Sequence, residues 1–363
     1  MKILVITPRF AIAGVPLAQI RLARALNARG HSVELVIGHI HKDYDLVPPE
    51  GIKTTILKQP TVRRMFWPLF RYFLTERPDV VFAAEDHLNI VVLMAALFAR
   101  SQAKISGSCR VTPFDTYSSI PLTKGWFLKK LAQLFMDRAD ALTCVSKDMV
   151  IQYQQVFSSP PHVCVYNIVA DNLSRKRMNE IVEHAWFKKK SVPVLVAAGR
   201  LAPWKGFSDL IEAMALLKDR RNVRLVILGD GPLRNELQEL IGKRGLEDNI
   251  ELVGYVDNPL KYFSHANVFV LSSLVEGLPN VLVEAMMCGC TPVSTDCPTG
   301  PREVLCDGQF GFLSPVRNPP ALASAIEQAL DNPIDPRKLN EAVMPFEENA
   351  VLDRHFEVLG LHG

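Results

Sequence analysis

Two cations and two glycines stand at one predicted strand-to-helix junction in the second half of the chain. Arg200 follows the apolar run Val194–Ala198, and Lys205 comes five residues later, just before a predicted helix. Gly199 and Gly206 allow a ligand to come close to the backbone. A guanidinium and an ammonium group in this arrangement suit a diphosphate. The alternative is a pair of solvated cations on a surface loop.

Two carboxylates mark a second candidate segment. Glu276 lies in the loop after the apolar run Val268–Leu271, and Glu284 lies eight residues later in the helix predicted over 279–287. Pro279 suits the first turn of that helix, whose unpaired N–H groups favour a phosphate. Carboxylates accept hydrogen bonds from hydroxyls, so Glu276 can bind a sugar and Glu284 a ribose. The alternative is a partner of the helix dipole at Glu276 and a surface salt bridge at Glu284.

The first loop of the chain carries a weaker signal. It follows the strand predicted over Lys2–Thr7 and leads through Ala13 and Gly14 to Pro16 at the start of a helix. Gly14 permits close approach of a ligand, and a helix start favours an anion. A tight turn without a ligand explains these residues equally well.

All three loops follow strands in a predicted α/β architecture. Short runs rich in Val, Ile and Leu alternate with amphipathic stretches, in one block before residue 170 and a second block that restarts near Val192. Such runs are typical of strands buried on both faces of a parallel sheet. The sequence therefore predicts two doubly wound domains, which bind ligands beyond the carboxyl ends of their strands. The predicted strands are Lys2–Thr7, Ser32–Ile37, Asp79–Ala83, Ala103–Gly107, Ala141–Val145, His162–Val165, Val194–Ala198, Val223–Leu228, Ile250–Val253, Val268–Leu271, Thr291–Ser294 and Phe310–Leu313.

The domain boundaries follow from the same alternation. The polar, basic stretch 171–191 contains no strand signal and is predicted as a linker. It separates an N-terminal domain over 1–170 from a C-terminal domain over 192–345. The last segment, 346–363, is predicted to form a helix that can pack back across the domain junction.

Bulk composition excludes several classes of protein. A chain of 363 residues suits two domains, and a net charge of +3 gives no sign of a nucleic-acid partner. Seven cysteines without a CxxC pair are typical of reduced thiols rather than of a zinc site. The most apolar helical stretch, 88–99, covers about 12 residues, whereas a membrane span needs about 20. We therefore expect a cytoplasmic protein that does not cross a membrane.

The order and spacing of the motifs over about 190–330 resemble the group 1 (family 4) retaining glycosyltransferases of GT-B fold. The motifs that carry this resemblance are Gly199-Arg200-Leu201 with Lys205-Gly206, Leu228-Gly229-Asp230-Gly231-Pro232, Gly254-Tyr255-Val256, and Glu276-Gly277-Leu278-Pro279-Asn280 with Glu284-Ala285. The loop at Gly14 agrees more loosely. The resemblance implies two Rossmann-like domains facing a cleft, a nucleotide-diphosphate sugar as donor, and transfer with retention of configuration.

The resemblance also assigns roles to individual residues. Arg200 and Lys205 would hold the donor diphosphate and stabilise the leaving nucleotide, and Glu276 would orient the transferred sugar. Gly14 would contact the phosphates, and Glu284 would bind the ribose. The other implied contacts are Gly254, Tyr255 and Val256 at the base, and Gly277, Leu278, Pro279, Asn280 and Val281 around the sugar and phosphates. Neither a metal nor a cofactor is implied, because the two cations and the helix end take over the stabilisation of charge.

Three segments depart from the family pattern or fit it only in part. Ala13-Gly14 stands where the family often has two adjacent glycines. Many relatives carry a His, and some an Arg, after the strand matching Ala103–Gly107; the nearest candidate here is Arg110, as a phosphate or acceptor contact or as a plain surface residue. Thr299–Glu303 resembles the family's late Gly-x-x-Glu turn, but an ordinary helix start explains it slightly better.

Two segments of the first half mix cations with large aromatic residues. They are Arg63–Phe73, which contains Arg63 and Arg64, and Lys124–Lys130, which contains Lys129 and Lys130. This mixture is typical of a helix in a membrane interface, and also of a helix that packs its aromatic residues inward. We expect a peripheral contact with the inner face of the cell membrane. The expected acceptor is a glycan or lipid-linked glycan of cell-surface polysaccharide synthesis, and the resemblance alone favours a UDP-hexose or UDP-N-acetylhexosamine as donor.

Three other functions have less support. A nucleotide-sugar epimerase relies on carboxylate and His groups, but His265, on a predicted helix, is the one His near the second-half strands. A non-catalytic nucleotide-sugar-binding protein of this fold is expected to lack Arg200, Lys205 or Glu276, and all three are present. A dinucleotide-dependent oxidoreductase needs a third glycine after Gly229-Asp230-Gly231 at the required spacing, which the chain lacks. A hexosyltransferase of class EC 2.4 is therefore the expected enzyme.

Overall fold

The computed structural model describes residues 1–11, 14–40, 47–188 and 192–361. Contacts divide the chain into two compact units. The first unit comprises Met1–Ile168 and Glu348–Gly363, and the second unit comprises Val169–Glu347. Each unit is an α/β sandwich built on one parallel sheet.

The sheet of the first unit has seven strands. They are β1 (Lys2–Phe10), β2 (Ser32–Ile40), β3 (Lys53–Ile56), β4 (Val80–Ala84), β5 (Lys104–Cys109), β6 (Ala141–Cys144) and β7 (His162–Cys164). Their spatial order is β3-β2-β1-β4-β5-β6-β7, with parallel pairing throughout the described strands. The order reverses between β1 and β4, and doubly wound sheets bind ligands at such a point.

The sheet of the second unit has six strands. They are β8 (Val194–Ala198), β9 (Arg224–Leu228), β10 (Ile250–Gly254), β11 (Val268–Leu271), β12 (Thr291–Thr295) and β13 (Phe312–Ser314). The order is β10-β9-β8-β11-β12-β13, again parallel among the described strands. The reversal here falls between β8 and β11, the two strands that precede Arg200 and Glu276.

Helices cover both sheets. They are α1 (Gly14–Ala28), α2 (Phe66–Glu76), α3 (Asp86–Phe98), α4 (Pro113–Thr116), α5 (Lys124–Phe135), α6 (Lys147–Val156), α7 (Asn172–Arg177), α8 (Ala185–Lys188), α9 (Phe207–Lys218), α10 (Arg234–Lys243), α11 (Leu260–Phe263), α12 (Asn280–Met287), α13 (Pro301–Val304), α14 (Pro319–Asp331), α15 (Pro336–Val343) and α16 (Glu348–Val358). Short 3₁₀ turns lie at Val62–Met65, Met136–Arg138, Pro203–Lys205 and Met344–Phe346.

Burial explains the apolar strand runs. The successive residues Ile3, Leu4, Val5 and Ile6 of β1 are all buried, as a strand covered on both faces requires. The strand β3 was not predicted, because its sequence KTTI is only partly buried and polar. A strand that is covered on both faces forms a continuous apolar run that can be recognised in the sequence. A partly exposed edge strand such as β3 has no such run.

The C-terminal helix α16 belongs to the first unit. Its Leu352 and Phe356 join the same buried cluster as Ile20 of α1. An ion pair of 2.7 Å between Arg29 and Asp353 lies beside these contacts. The helix predicted over 346–363 thus forms, and its buried face packs on α1.

The stretch predicted as a linker contains two short helices, α7 and α8, where the structure describes it. Asp171 caps α7 by accepting a hydrogen bond of 2.6 Å from the Ser174 N–H. The guanidinium of Arg177 pairs with Asp257 at 2.6 Å, and the Ser264 hydroxyl donates to the Met178 carbonyl at 2.7 Å. Through these contacts the stretch packs within the second unit. Residues 189–191 of the predicted linker lie outside the described residues.

Candidate functional site

The loops that follow β8 and β9 are held together by backbone hydrogen bonds. The Gly199 N–H donates to Leu228 O at 2.9 Å, and the Leu201 N–H donates to Asp230 O at 3.0 Å. A Cβ at Gly229 would lie 2.0 Å from the Gly199 carbonyl oxygen, so only glycine fits there. This close approach gives the Gly229-Asp230-Gly231 motif a structural role and fixes the turn that carries Arg200.

Arg200 is exposed on this turn. It makes no hydrogen bond or ion pair within the described ranges. A guanidinium that is held by the backbone on either side but has no protein partner is available for an anionic ligand.

Lys205 is positioned by the loop that follows β11. The Ser272 hydroxyl donates to the Lys205 carbonyl at 2.8 Å, and the Leu274 N–H donates to the Trp204 carbonyl at 2.8 Å. Gly206 has a φ of +63°, and a Cβ there would lie 2.0 Å from the Ser272 carbonyl oxygen. The two loops therefore interlock at a point where no side chain fits.

The structure brings Lys205 and Glu276 into direct contact. The Lys205 Nζ lies 2.5 Å from Glu276 Oε1, and the side chains are only 17% and 11% exposed. The Ser273 hydroxyl donates to the same carboxylate oxygen at 2.6 Å. Two donors thus fix Oε1, which orients Oε2 for a further hydrogen bond. Glu276 is consequently an ion-pair partner of Lys205 rather than a partner of the helix dipole.

The loop after β12 also supports Glu276. The Thr299 hydroxyl, in the loop after β12, donates to the Glu276 main-chain carbonyl. The helix α13 begins at Pro301, so this segment is also the helix start that the sequence favours. Sequence reasoning did not single out Ser273 or Thr299 as supports of Glu276. The Thr299-Gly300 pair before Pro301 was the available signal.

The helix α12 follows the Glu276 loop. Pro279 occupies the position before its first residue, Asn280, and the helix has no side-chain cap there. Glu284 lies in the body of α12 and is buried, with 8% of its surface exposed. A surface salt bridge therefore does not account for Glu284. Of the other predicted residues, Gly277 and Leu278 lie in the loop between Glu276 and Pro279, and Val281 is the second residue of α12.

The last predicted donor segment ends β10. The Gly254 carbonyl accepts a hydrogen bond of 2.8 Å from the Gly229 N–H, and Tyr255 next to it is exposed. Val256 is half-buried. Because β10, β9, β8 and β11 are neighbours, the edge of the sheet carries Tyr255, Gly229, Arg200 and Glu276 in that order.

Two predicted residues lie in the first unit. Gly14 is the first residue of α1, and a Cβ there would meet nothing within 4 Å. Ala13, the other residue of this turn, lies outside the described residues. Arg110 donates to the side chains of Asn167 and Gln19, the latter at 3.4 Å, and its Nε is buried without a hydrogen-bond partner. Burial lowers the pKa of Arg110 to about 10, which leaves it charged at neutral pH.

Comparison with known proteins decides the family. Residues 179–344 match the family model of glycosyl transferases group 1, and residues 14–167 match the glycosyl transferase 4-like domain. An uncharacterised glycosyltransferase of Methanocaldococcus jannaschii is 31% identical over 279 residues, which cover 74% of this chain and 68% of the relative. The chain belongs to the group 1 glycosyltransferases.

A second relative supports this family assignment, and a solved structure shows the fold. The N-acetylgalactosamine-N,N'-diacetylbacillosaminyl-diphospho-undecaprenol 4-alpha-N-acetylgalactosaminyltransferase of Campylobacter jejuni is 32% identical over 257 residues, which cover 70% of this chain and 67% of the relative. The crystal structure of Anabaena HepE in complex with UDP superposes with a TM-score of 0.79 at 19% identity, over 99% of this chain and 100% of that one. The glycosyltransferase thus has the GT-B fold, and the predicted family and fold are confirmed.

The structure also bears on membrane crossing. None of the helices among the described residues is both long enough and apolar enough to span a bilayer.

Proposed function

We propose that this glycosyltransferase moves a hexose or N-acetylhexosamine from a UDP-sugar to a hydroxyl of a glycan or lipid-linked glycan, with retention of configuration. The observation that carries the proposal is the Lys205–Glu276 pair beside the exposed Arg200, at the reversal point of the second sheet. Cations suit a diphosphate and a carboxylate suits hydroxyls, so the three residues match the two halves of a nucleotide-sugar.

In the proposed reaction negative charge develops on the leaving diphosphate. Arg200 and Lys205 stabilise that charge, and the start of α12 adds the positive end of the helix dipole. These fixed donors supply the stabilisation that a metal ion would otherwise give, so the proposed reaction runs without metal or cofactor. Glu276 presents its second oxygen to the sugar hydroxyls.

The remaining donor contacts are proposed from the family resemblance. Glu284 accepts a hydrogen bond from the ribose, and the backbone of Gly254–Val256 meets the base. Gly14 adds a backbone contact to the phosphates. Support for uracil comes from the UDP complex of Anabaena HepE, a protein of the same fold. Support for a lipid-linked acceptor comes from the Campylobacter relative, whose name includes a diphospho-undecaprenol saccharide.

A peripheral membrane contact is the second part of the proposal. Trp67 of α2 is 68% exposed, and Phe127 and Leu134 of α5 are also exposed. Aromatic residues that point outward beside cations do not fit simple inward packing. They are typical of a surface that enters the headgroup region of an anionic membrane. The proposal places the enzyme on the cytoplasmic face of the cell membrane, in cell-surface polysaccharide synthesis.

A donor screen tests the reaction. Purified protein is incubated with UDP-, GDP- and ADP-sugars together with a membrane extract, and released nucleoside diphosphate is measured. Release from one donor, lost in Lys205→Ala and in Glu276→Ala, is the expected result. Interconversion of two nucleotide-sugars without release would identify an epimerase instead. Absence of release and of any thermal shift by nucleotide would contradict the proposal.

A further inference from the structure

Glu85 stands in a strained conformation at the reversal point of the first sheet. It follows β4 directly and has φ +83° and ψ 132°. A residue with a Cβ rarely adopts such a positive φ, and holding it there has a free-energy cost. The strand order reverses between β4 and β1, where open α/β sheets bind ligands. Strained residues cluster at functional sites, so the position calls for an explanation.

Local structure does not require a carboxylate at this position. The backbone of Glu85 is fixed by two hydrogen bonds, from its N–H to Ser108 O at 3.0 Å and from the Asn89 N–H to its carbonyl at 2.9 Å. Its side chain makes no capping hydrogen bond to α3. Glycine would satisfy the same backbone bonds without strain. The turn therefore does not explain why a glutamate stands at this position.

The surroundings of Glu85 are charged and partly shielded from solvent. Its carboxylate lies 4.0 Å from the guanidinium of Arg9 at the end of β1, and the Glu85 side chain is 26% exposed. Burial raises the pKa of Glu85, and the charges of Arg9 and Arg110 act in the opposite direction. His39, the register neighbour of Arg9 on β2, has a buried Nδ1 without a hydrogen-bond partner in the described part of the chain. The carboxyl ends of the neighbouring strands β2, β1, β4 and β5 thus bring four side chains to one edge of the first sheet. In that order they are His39, Arg9, Glu85 and Arg110.

The chemistry of this edge matches a sugar better than a phosphate. A carboxylate accepts hydrogen bonds from two neighbouring hydroxyls, and a guanidinium donates to hydroxyl or ring oxygens. A diphosphate beside Glu85 would meet a negative charge in a partly buried place, where repulsion is poorly screened. A ligand that lies against Glu85 is therefore expected to be neutral and rich in hydroxyls.

We propose that Glu85 and Arg9 bind the sugar of the acceptor and so determine which acceptor is used. The inference rests on the proposed function, since it assigns the acceptor side of that reaction. Glu85 accepts hydrogen bonds from hydroxyls of the acceptor sugar, and Arg9 holds the carboxylate and donates to the same ring. Any diphosphate of a lipid-linked acceptor lies away from Glu85.

The test separates acceptor binding from donor binding. Glu85→Gln and Arg9→Gln are compared with Glu50→Gln, which alters an exposed carboxylate of the same unit. The probes are UDP-N-acetylgalactosamine, UDP-N-acetylglucosamine, UDP-glucose and UDP-galactose as donors, and octyl glycosides of the same four sugars as acceptors. We expect the acceptor KM to rise at least tenfold in both site variants. The Kd for UDP and the release of UDP without acceptor should change less than twofold.

A second variant tests the strain. Glu85→Gly should raise the thermal midpoint by about 2–4 °C, because the strain is relieved, while acceptor-dependent transfer is lost. An acceptor KM in Glu85→Gln equal to that of the wild type would overturn this inference but not the proposed function. A loss of UDP binding as large as the loss of acceptor binding would do the same. A wild-type protein that releases no UDP from any donor would overturn the proposed function, and the inference with it.

Discussion

The ammonium nitrogen of Lys205 lies 2.5 Å from Oε1 of Glu276, although the two residues are 71 positions apart in the sequence. The pair joins the loops that follow β8 and β11, the strands between which the sheet order reverses. The cation proposed to bind the diphosphate and the carboxylate proposed to bind the sugar are thus oriented by each other. If these roles hold, the two binding sites are coupled, and changing either residue should disturb both.

Removing Lys205 should therefore affect stability and activity together. Lys205→Ala leaves Glu276 mostly buried without its charged partner, which should cost about 1–3 kcal/mol in the free energy of unfolding. Transfer should fall by about 10²–10³-fold, because a donor to the developing charge is lost. The double variant Lys205→Ala/Glu276→Ala should recover part of the stability but none of the activity. Urea unfolding and UDP release measure the two effects.

A matched control uses an exposed pair. Arg220 and Glu327 form an ion pair of 2.9 Å on the surface of the same unit. Arg220→Ala should change the free energy of unfolding by less than about 1 kcal/mol and leave transfer unchanged. If Lys205→Ala behaves like Arg220→Ala in both assays, the structural role given to Lys205 is wrong.

Alanine substitutions at the glycines of two candidate loops should have different effects on stability and on donor binding. Gly206→Ala puts a Cβ against the Ser272 carbonyl at a positive φ, so we expect a loss of about 2–3 kcal/mol in stability. Gly14→Ala puts a Cβ into open space, so the folded state should be unaffected. If the Gly14 backbone meets the phosphates, the KM for the donor should nevertheless rise. Equal donor KM in Gly14→Ala and wild type would remove Gly14 from the donor site.

Binding to anionic vesicles checks the membrane surface. The combined substitution of Arg63, Arg64, Lys129 and Lys130 by Ser should lower binding to vesicles of phosphatidylglycerol and phosphatidylcholine, because each cation near such a surface contributes about 1 kcal/mol. Trp67→Ser should weaken the residual binding at high salt. The control substitutes four exposed cations of the second unit by Ser: Lys176, Lys188, Lys243 and Lys338. Equal binding of both quadruple variants would argue against the surface proposed here.

Two buried histidines should make the first unit sensitive to acid. Burial lowers the pKa of His355 to about 3, with help from the charge of Arg110, and burial lowers the pKa of His162 to about 4. As the pH falls below the ordinary histidine pKa of 6.5, the unfolded chain takes up protons that the folded chain does not, so stability falls. The loss continues until the pH reaches the folded-state values.

A substitution at His355 isolates this effect. In His355→Leu, stability should depend less steeply on pH between 6.5 and 5.5, by about 1 kcal/mol, since one proton per unit pH corresponds to about 1.4 kcal/mol. The exposed His87→Gln should keep the wild-type slope. Urea unfolding at the two pH values provides the measurement. An unchanged slope in His355→Leu would show that the pKa of His355 is the same in the folded and unfolded protein, contrary to the lowering by burial.

The placement of Arg200, Lys205 and Glu276 at one edge of the second sheet could be predicted from the sequence because its signals are local. Arg200, Lys205 and Glu276 each follow an apolar run, and parallel strands bring their carboxyl ends to one edge. The supports of Glu276 were not singled out from the sequence: Ser273 lies three residues before it in the same loop, and Thr299 reaches it from the loop after β12. Glu85 could not be recognised, because a positive φ has no sequence signature when the residue is not glycine. The strand β3 was not predicted, because its exposed and partly buried residues lack an apolar pattern.

The interlocked loops after β8 and β11 also limit how this enzyme can be re-engineered. Gly206 approaches Ser272 so closely that neither loop has room for a different backbone path unless the other changes with it. A chimera that takes the loop after β11 from a relative should therefore also take residues 199–206 from that relative. Recombination between family members would succeed when these two segments are inherited as one module, and fail when they are separated.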